Sequence, residues 1–328
     1  MRASEEELGG APAAVYRPGR GRGPWPTVLV VPGVTRRGRR HPAFVGIGRG
    51  LAAAGVLTAV VEPPGLSVGE LTLRTLEDTR AAAEALCAHR DVRYGRVAVA
   101  GVSGGGTLAL LLAGAPSLAA RVSAAAALAP LCDVRAALRL VTTDRYERDG
   151  ELVPYETGWF FRLALARSAI AWLEDGPDRR ALREHVLGLE DYGAEPLRAF
   201  RSWPSEELGT EAQGVVALLG NDDPARFDEL YATLTEAQRA AAELLSPIRL
   251  ATGIVAPVEL VVARADKYIP LEDAAAFARA CSCARVTVID SLEHAVPSVS
   301  LAAARDLARL DGAAVRFLSA ACSPSYSA

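Results

Sequence analysis

A glycine-framed serine and four histidines are where a search for nucleophilic chemistry in this 328-residue chain begins. Gly101-Val102-Ser103-Gly104-Gly105 has the spacing G-x-S-x-G. An apolar run, Val97-Ala98-Val99-Ala100, precedes it and a Gly/Ala/Leu-rich stretch follows. That context predicts a sharp strand-to-helix turn that lifts the Ser103 hydroxyl above a sheet, with glycines where a Cβ would strike neighbouring backbone. A serine there could instead merely cap the following helix. The two readings differ in what the rest of the chain must supply, because a serine hydroxyl becomes a good nucleophile only when a base takes its proton.

The base must be sought among four residues. His41 follows a basic stretch, His89 lies near a helix end, and His185 falls in a region without strands. His294 sits in Ser291-Leu292-Glu293-His294-Ala295-Val296-Pro297, just beyond the last predicted strand. Loops past the carboxyl ends of strands are where α/β folds place reactive groups, so His294 is the candidate base. A surface or helix-capping histidine is the alternative. The third group is a carboxylate that orients the imidazole and stabilises its protonated form. Asp266 follows the apolar run Val258-Glu259-Leu260-Val261-Val262-Ala263 and precedes Lys267-Tyr268-Ile269-Pro270. Asp290, at the end of the last strand, and Glu293, beside the histidine, compete for the role. Adjacent residues rarely face one another well, which disfavours Glu293, and Asp266 could itself be only a turn former.

Short β-branched runs alternate with longer Ala/Leu-rich segments, the pattern of a parallel α/β sheet. Strands are expected at 27–31, 56–61, 96–100, 122–129, 258–263 and 286–289. Helices are expected at 44–54, 71–89, 104–113 and 271–280, with a C-terminal one from about Ser298. Before residue 27 only one clear strand, at 14–16, is visible. Residues 133–248 show helical periodicity, as at 159–173 and 229–245, and no convincing strand. The simplest organisation is one α/β core, residues 1–132 and 249–328, interrupted by a helical insertion at 133–248.

These pieces together resemble the α/β-hydrolases, in the esterase/lipase and serine-peptidase-like branch. The resemblance rests on Val30-Val31-Pro32-Gly33, the 101–105 turn, Ser246-Pro247-Ile248, Ala256-Pro257-Val258, Asp266 with Ile269-Pro270, and Glu293-His294. It covers residues 13–132 and 246–320, and the chain order Ser103, Asp266, His294 is its most specific part. It implies a mostly parallel sheet of eight strands flanked by helices, a Ser-His-Asp hydrolase of esters, thioesters or amides acting through an acyl-enzyme, and no cofactor. An acyltransferase using the same residues, or a binding protein on the same scaffold, would share these features. The resemblance also implies an oxyanion hole of two backbone N–H groups, one from Gly104. Where relatives often carry His-Gly this chain has Pro32-Gly33-Val34, and Val34 is the choice for the second donor.

In relatives a helical cap over the site is often inserted where residues 133–248 stand. This stretch holds 11 of the 19 aromatic residues, most of them expected in its own small core. Two or three would line an apolar substrate wall, with Trp159 and Phe160 the chosen candidates. Thr35-Arg36-Arg37-Gly38-Arg39-Arg40-His41 reads as a solvated basic loop, with recognition of a substrate anion as the alternative.

A formal net charge of -3 offers no global attraction to nucleic acid or anionic membrane. The partner that the resemblance implies is a small ester-like molecule. No apolar run approaches the roughly 18 residues of a membrane span. The acidic residues 1–14 contain no apolar signal-like stretch, which makes the cytoplasm the expected location. Five cysteines without metal-ligand spacing fit reduced thiols rather than a metal site.

Overall fold

The computed structural model describes residues 1–189, 195–297 and 303–323. Four strands open the sheet: β1 (Arg2–Leu8), β2 (Ala11–Arg17), β3 (Thr27–Val31) and β4 (Leu57–Val61). β5 (Val97–Val102) and β6 (Val122–Leu128) follow, then a small separate hairpin, β7 (Arg145–Arg148) and β8 (Glu151–Pro154). β9 (Val258–Ala263) and β10 (Ala284–Ile289) complete an eight-stranded sheet of order β1-β2-β4-β3-β5-β6-β9-β10. Pairing is antiparallel from β1 through β2 to β4 and parallel from β4 to β10.

Every residue of β3 and β4 is buried, which is why these strands read as unbroken apolar runs rather than alternating ones. Helices cover both faces. α1 (Pro42–Ala53) packs on one face, and α2 (Leu73–Cys87) and α3 (Gly104–Gly114) on the other. α3 is apolar all round and its Leu108, Leu110, Leu111 and Leu112 are at most 1% exposed, as a helix against the centre of a sheet must be.

Between β6 and β9 run α4 (Val134–Thr143), the β7–β8 hairpin, α5 (Trp159–Ala171) and α6 (Pro177–Gly188). α7 (Thr210–Leu219), α8 (Phe227–Thr233) and α9 (Glu236–Leu244) complete the stretch. α10 (Leu271–Ala280) joins the α2 and α3 face, and α11 (Ala303–Cys322) lies beside α1. Ser298, the expected start of that last helix, lies outside the described residues.

The structure corrects the sequence reading in three places. The N-terminal hairpin is complete rather than reduced to one strand. β1 pairs with β2 over seven residues, but as a largely exposed edge strand, Arg-Ala-Ser-Glu-Glu-Glu-Leu, it carries almost no apolar pattern. The 133–248 stretch contains the β7–β8 hairpin, whose two-residue Asp149-Gly150 loop has φ of 53° and 84°. Asp-Gly is a strong hairpin signal, but four-residue charged strands left no alternation beside it. The helix expected at 229–245 is two helices, because Leu234 leaves helical geometry and Thr235 with Gln238 forms a capping box that starts α9.

Candidate active site

Ser103 follows β5 directly and adopts φ 52°, ψ −125°, a conformation that costs a non-glycine residue on the order of 1–3 kcal/mol. Its surroundings hold it there. The Ser103 N–H donates to the Leu128 carbonyl of β6 at 2.7 Å, and its own carbonyl accepts from Thr107 of α3 at 3.0 Å. The first turn of α3 presses on the end of β3 so tightly that a Cβ on Gly105 would lie 2.2 Å from the Val31 carbonyl oxygen. Gly33 also passes close, since a Cβ there would lie 2.9 Å from the Val102 carbonyl oxygen and 3.4 Å from Ser103 Cβ. The backbone after β3 therefore runs past the serine, and Val34 packs toward Gly104.

Asp266 and His294 emerge from the same edge of the sheet. β5, β6, β9 and β10 are parallel neighbours, so Ser103, Asp266 and His294 all lie past carboxyl ends of strands. His294 opens the turn between the two-residue strands β11 (Leu292–Glu293) and β12 (Val296–Pro297), with φ 57°. Its Nδ1 lies 2.9 Å from Asp266 Oδ2 and 3.2 Å from Oδ1. Both side chains are buried, 11% and 4% exposed, so this contact is little screened by water. Asp266 Oδ1 also accepts from the N–H groups of Tyr268 at 2.8 Å and Ile269 at 3.1 Å. An ionised carboxylate only accepts, so Nδ1 donates to it and Nε2 is left to exchange a proton elsewhere.

The other candidates are otherwise engaged. Asp290 binds Arg264, Arg305 and Arg309 on the surface, and Glu293 faces Lys267 at 3.7 Å. His41 Nδ1 accepts from Ala43 at the start of α1, His89 Nδ1 from the Asp91 N–H, and His185 packs its ring on Trp203. Of the three carboxylates considered, Asp266 is the one that meets His294.

A cavity of about 810 Å³ is lined by Val34, Thr35 and Arg36 together with Trp159, Phe160 and Tyr268. The Tyr268 ring meets His294 edge-on at 4.8 Å between centroids and Phe160 at 6.1 Å. Val34, which packs toward Gly104, and Tyr268, which meets His294, both line this cavity, whereas Ser103, Gly104, Asp266 and His294 are not among its lining residues. Burial, and next the charge of Asp266, pushes the Tyr268 phenol up, so it stays protonated near neutrality. The basic loop divides in two. Arg39 is a structural cation, paired with Glu5 at 2.8 Å and Glu62 at 2.6 Å and only 13% exposed, whereas Arg36 borders the cavity. Tyr268, and behind it Tyr155 and Thr157, were missed from the sequence. Tyr268 lies two residues from Asp266, but nothing in its spacing signalled that its ring would meet His294.

No family model and no curated protein matches this chain. Many solved structures do. Est1E from Butyrivibrio proteoclasticus superposes with a TM-score of 0.54 at 13% identity, covering 97% of this chain and 100% of its own. An acylaminoacyl peptidase from Pyrococcus horikoshii gives 0.56 at 13% identity, covering 100% of this chain and 42% of its own. A 2,6-dihydroxy-pseudo-oxynicotine hydrolase gives 0.51 at 16%, covering 96% and 67%. With the strand order above, these likenesses identify the α/β-hydrolase fold. Among the described residues no helix is long and apolar enough to cross a membrane.

Proposed function

We propose that the protein is a serine hydrolase of carboxylic esters, with thioesters and amides as chemically related substrates, acting in the cytoplasm without a cofactor. The observation that carries this reading is a strained serine at a strand-to-helix elbow on the same sheet edge as a buried Asp266–His294 pair. Ser103 Oγ attacks the acyl carbonyl while His294 Nε2 takes its proton, and Asp266 stabilises the resulting imidazolium. The negative charge on the carbonyl oxygen falls to the backbone N–H groups of Gly104 and Val34. His294 returns the proton to the leaving group, which departs and leaves an acyl-Ser103, and water activated by the same imidazole releases the acid.

Residues 133–248 act in this reading as a cap that supplies the apolar wall of the substrate cavity. Trp159 and Phe160, which line that cavity together with Val34, support it. Neighbours of the same fold named as a peptidase and a hydrolase agree with the reaction class. Turnover across an ester library of graded acyl length tests the proposal. Wild type should hydrolyse a subset and Ser103→Ala none, whereas equal turnover by both would refute it.

A further inference from the structure

The segment between β8 and α5 holds the backbone that carries Asp266. Three consecutive carbonyls, those of Asp266, Lys267 and Tyr268, each accept a hydrogen bond from it. The Tyr155 hydroxyl donates to the Asp266 carbonyl, the Gly158 N–H to Lys267 at 2.7 Å, and the Thr157 hydroxyl to Tyr268 at 2.8 Å. The donating segment is itself locked. Tyr155 N–H donates to the Asp144 carbonyl at 2.9 Å. The buried Arg162 donates to the carbonyls of Val141 and Thr157 and to the Asp144 carboxylate.

We infer that Tyr155, seconded by Thr157, is a positioning residue that clamps the acid-bearing loop and so sets how Asp266 presents its carboxylate to His294. The inference rests on the hydrolase reading above and assigns the inserted stretch a task beyond covering the substrate. Three features point to it. First, the loop is short: Asp266 lies three residues past β9, and the Tyr268 and Ile269 amides fold back onto its own carboxylate. Such a turn is closed on its carboxylate side, and its outward carbonyls must find donors or remain unpaired beneath α5. Second, burial, and next the charge of Asp266, pushes the Tyr155 phenol up, so that it remains a donor throughout the working pH range. Third, α5 begins at Trp159, immediately after the donating segment, so the helix that bears the cavity aromatics and the clamp on the acid loop are one continuous piece of chain.

Tyr155→Phe removes the donor and keeps the ring. The expected result is a fall in kcat of about 10-fold with KM unchanged, because the carboxylate is presented less well to His294 while nothing that touches substrate is altered. The Tyr268 and Ile269 amides, which donate to Asp266, should exchange with solvent faster by a similar factor, read by NMR. Because Tyr155 acts through Asp266, adding Tyr155→Phe to Asp266→Asn should cost little further kcat. Thr157→Val should repeat the effect more weakly and Thr157→Ser, which keeps the hydroxyl, should behave as wild type, which covers the case in which Tyr155→Phe does not fold. Undiminished protection at Tyr268 and Ile269, or the full 10-fold loss persisting in the Asp266→Asn background, would overturn the clamp. If wild type turns over no ester, the hydrolase reading falls, and amide exchange alone then decides the clamp.

Discussion

The two sides of the candidate site are built by different physics. Ser103 is held by what lies next to it in sequence and by two neighbouring strands. The turn from β5 to α3, the close approach of Gly105 to β3 and the bond to Leu128 leave it one conformation. Asp266 and His294 lie 28 residues apart and meet through loops whose shape depends on a third region, the segment at 155–158. Ser103 is thus set by its own turn and the two strands beside it, and the Asp266–His294 pair by loops that lean on a third region. A side chain on the elbow should therefore fail all at once when its local rule is broken, whereas the acid–base side should degrade in steps.

The largest step is at the acid. Asp266→Asn should lower kcat on the order of 10⁴-fold, because the wrong imidazole tautomer becomes favoured. Asp290→Asn should leave kcat near wild type, since Asp290 is occupied by surface arginines. Steady-state kinetics on the two folded variants decide between them, and the reverse pattern would dissolve the contrast drawn above.

A smaller step is expected at the cavity wall. Trp159→Ala or Phe160→Ala should shift the preference between short and long acyl esters by about 10-fold, as the loss of one apolar contact surface does. The comparison of kcat/KM across chain lengths measures it, and an unchanged ratio would remove these residues from the substrate wall.

The smallest effect on turnover is expected at a residue that acts on stability instead. Asp273 on α10 accepts from the Cys132 N–H at 2.7 Å, and burial, the largest influence, pushes its carboxyl up to about 7. In the unfolded chain it titrates near 3.8, so between about pH 4 and 7 the folded protein binds more protons. Stability therefore falls as pH rises through that window, by no more than about 1.4 kcal/mol per pH unit. Asp273→Asn should flatten this slope in thermal unfolding across pH 4 to 8 and leave the relative kcat values of the acid variants unchanged. An unaltered slope would place the pH dependence elsewhere.

How much was legible in the sequence follows the same division. The core strands, their order of appearance, the elbow and its serine could be read because burial on both faces writes continuous apolar runs and the turn demands glycine. Position past a late strand admitted Asp290 as well as Asp266, and it was the chain order of the resemblance that favoured Asp266, the carboxylate that meets His294. What could not be read were features without an apolar signature. β1 is charged along its exposed edge, and β7 and β8 are too short for alternation beside Asp149-Gly150. Arg39 looked like one cation of a solvated loop, yet its partners Glu5 and Glu62 lie 34 and 23 residues away. Tyr155 and Thr157 act across 111 residues through a hydroxyl each, and no local pattern marks such a contact. The break at Leu234-Thr235 was legible in principle, because Thr235 and Gln238 have capping-box spacing.

The central claim is that Ser103 is a nucleophile activated by His294. A fluorophosphonate probe traps an activated serine covalently and leaves an ordinary hydroxyl untouched. Folded wild-type protein, His294→Ala and Ser103→Ala should be treated with the probe and mapped by peptide mass spectrometry. The expected result is an adduct on Ser103 in wild type and on neither variant, since the two residues act as one unit. An unlabelled Ser103 in folded wild type, with ester turnover surviving Ser103→Ala, would contradict it.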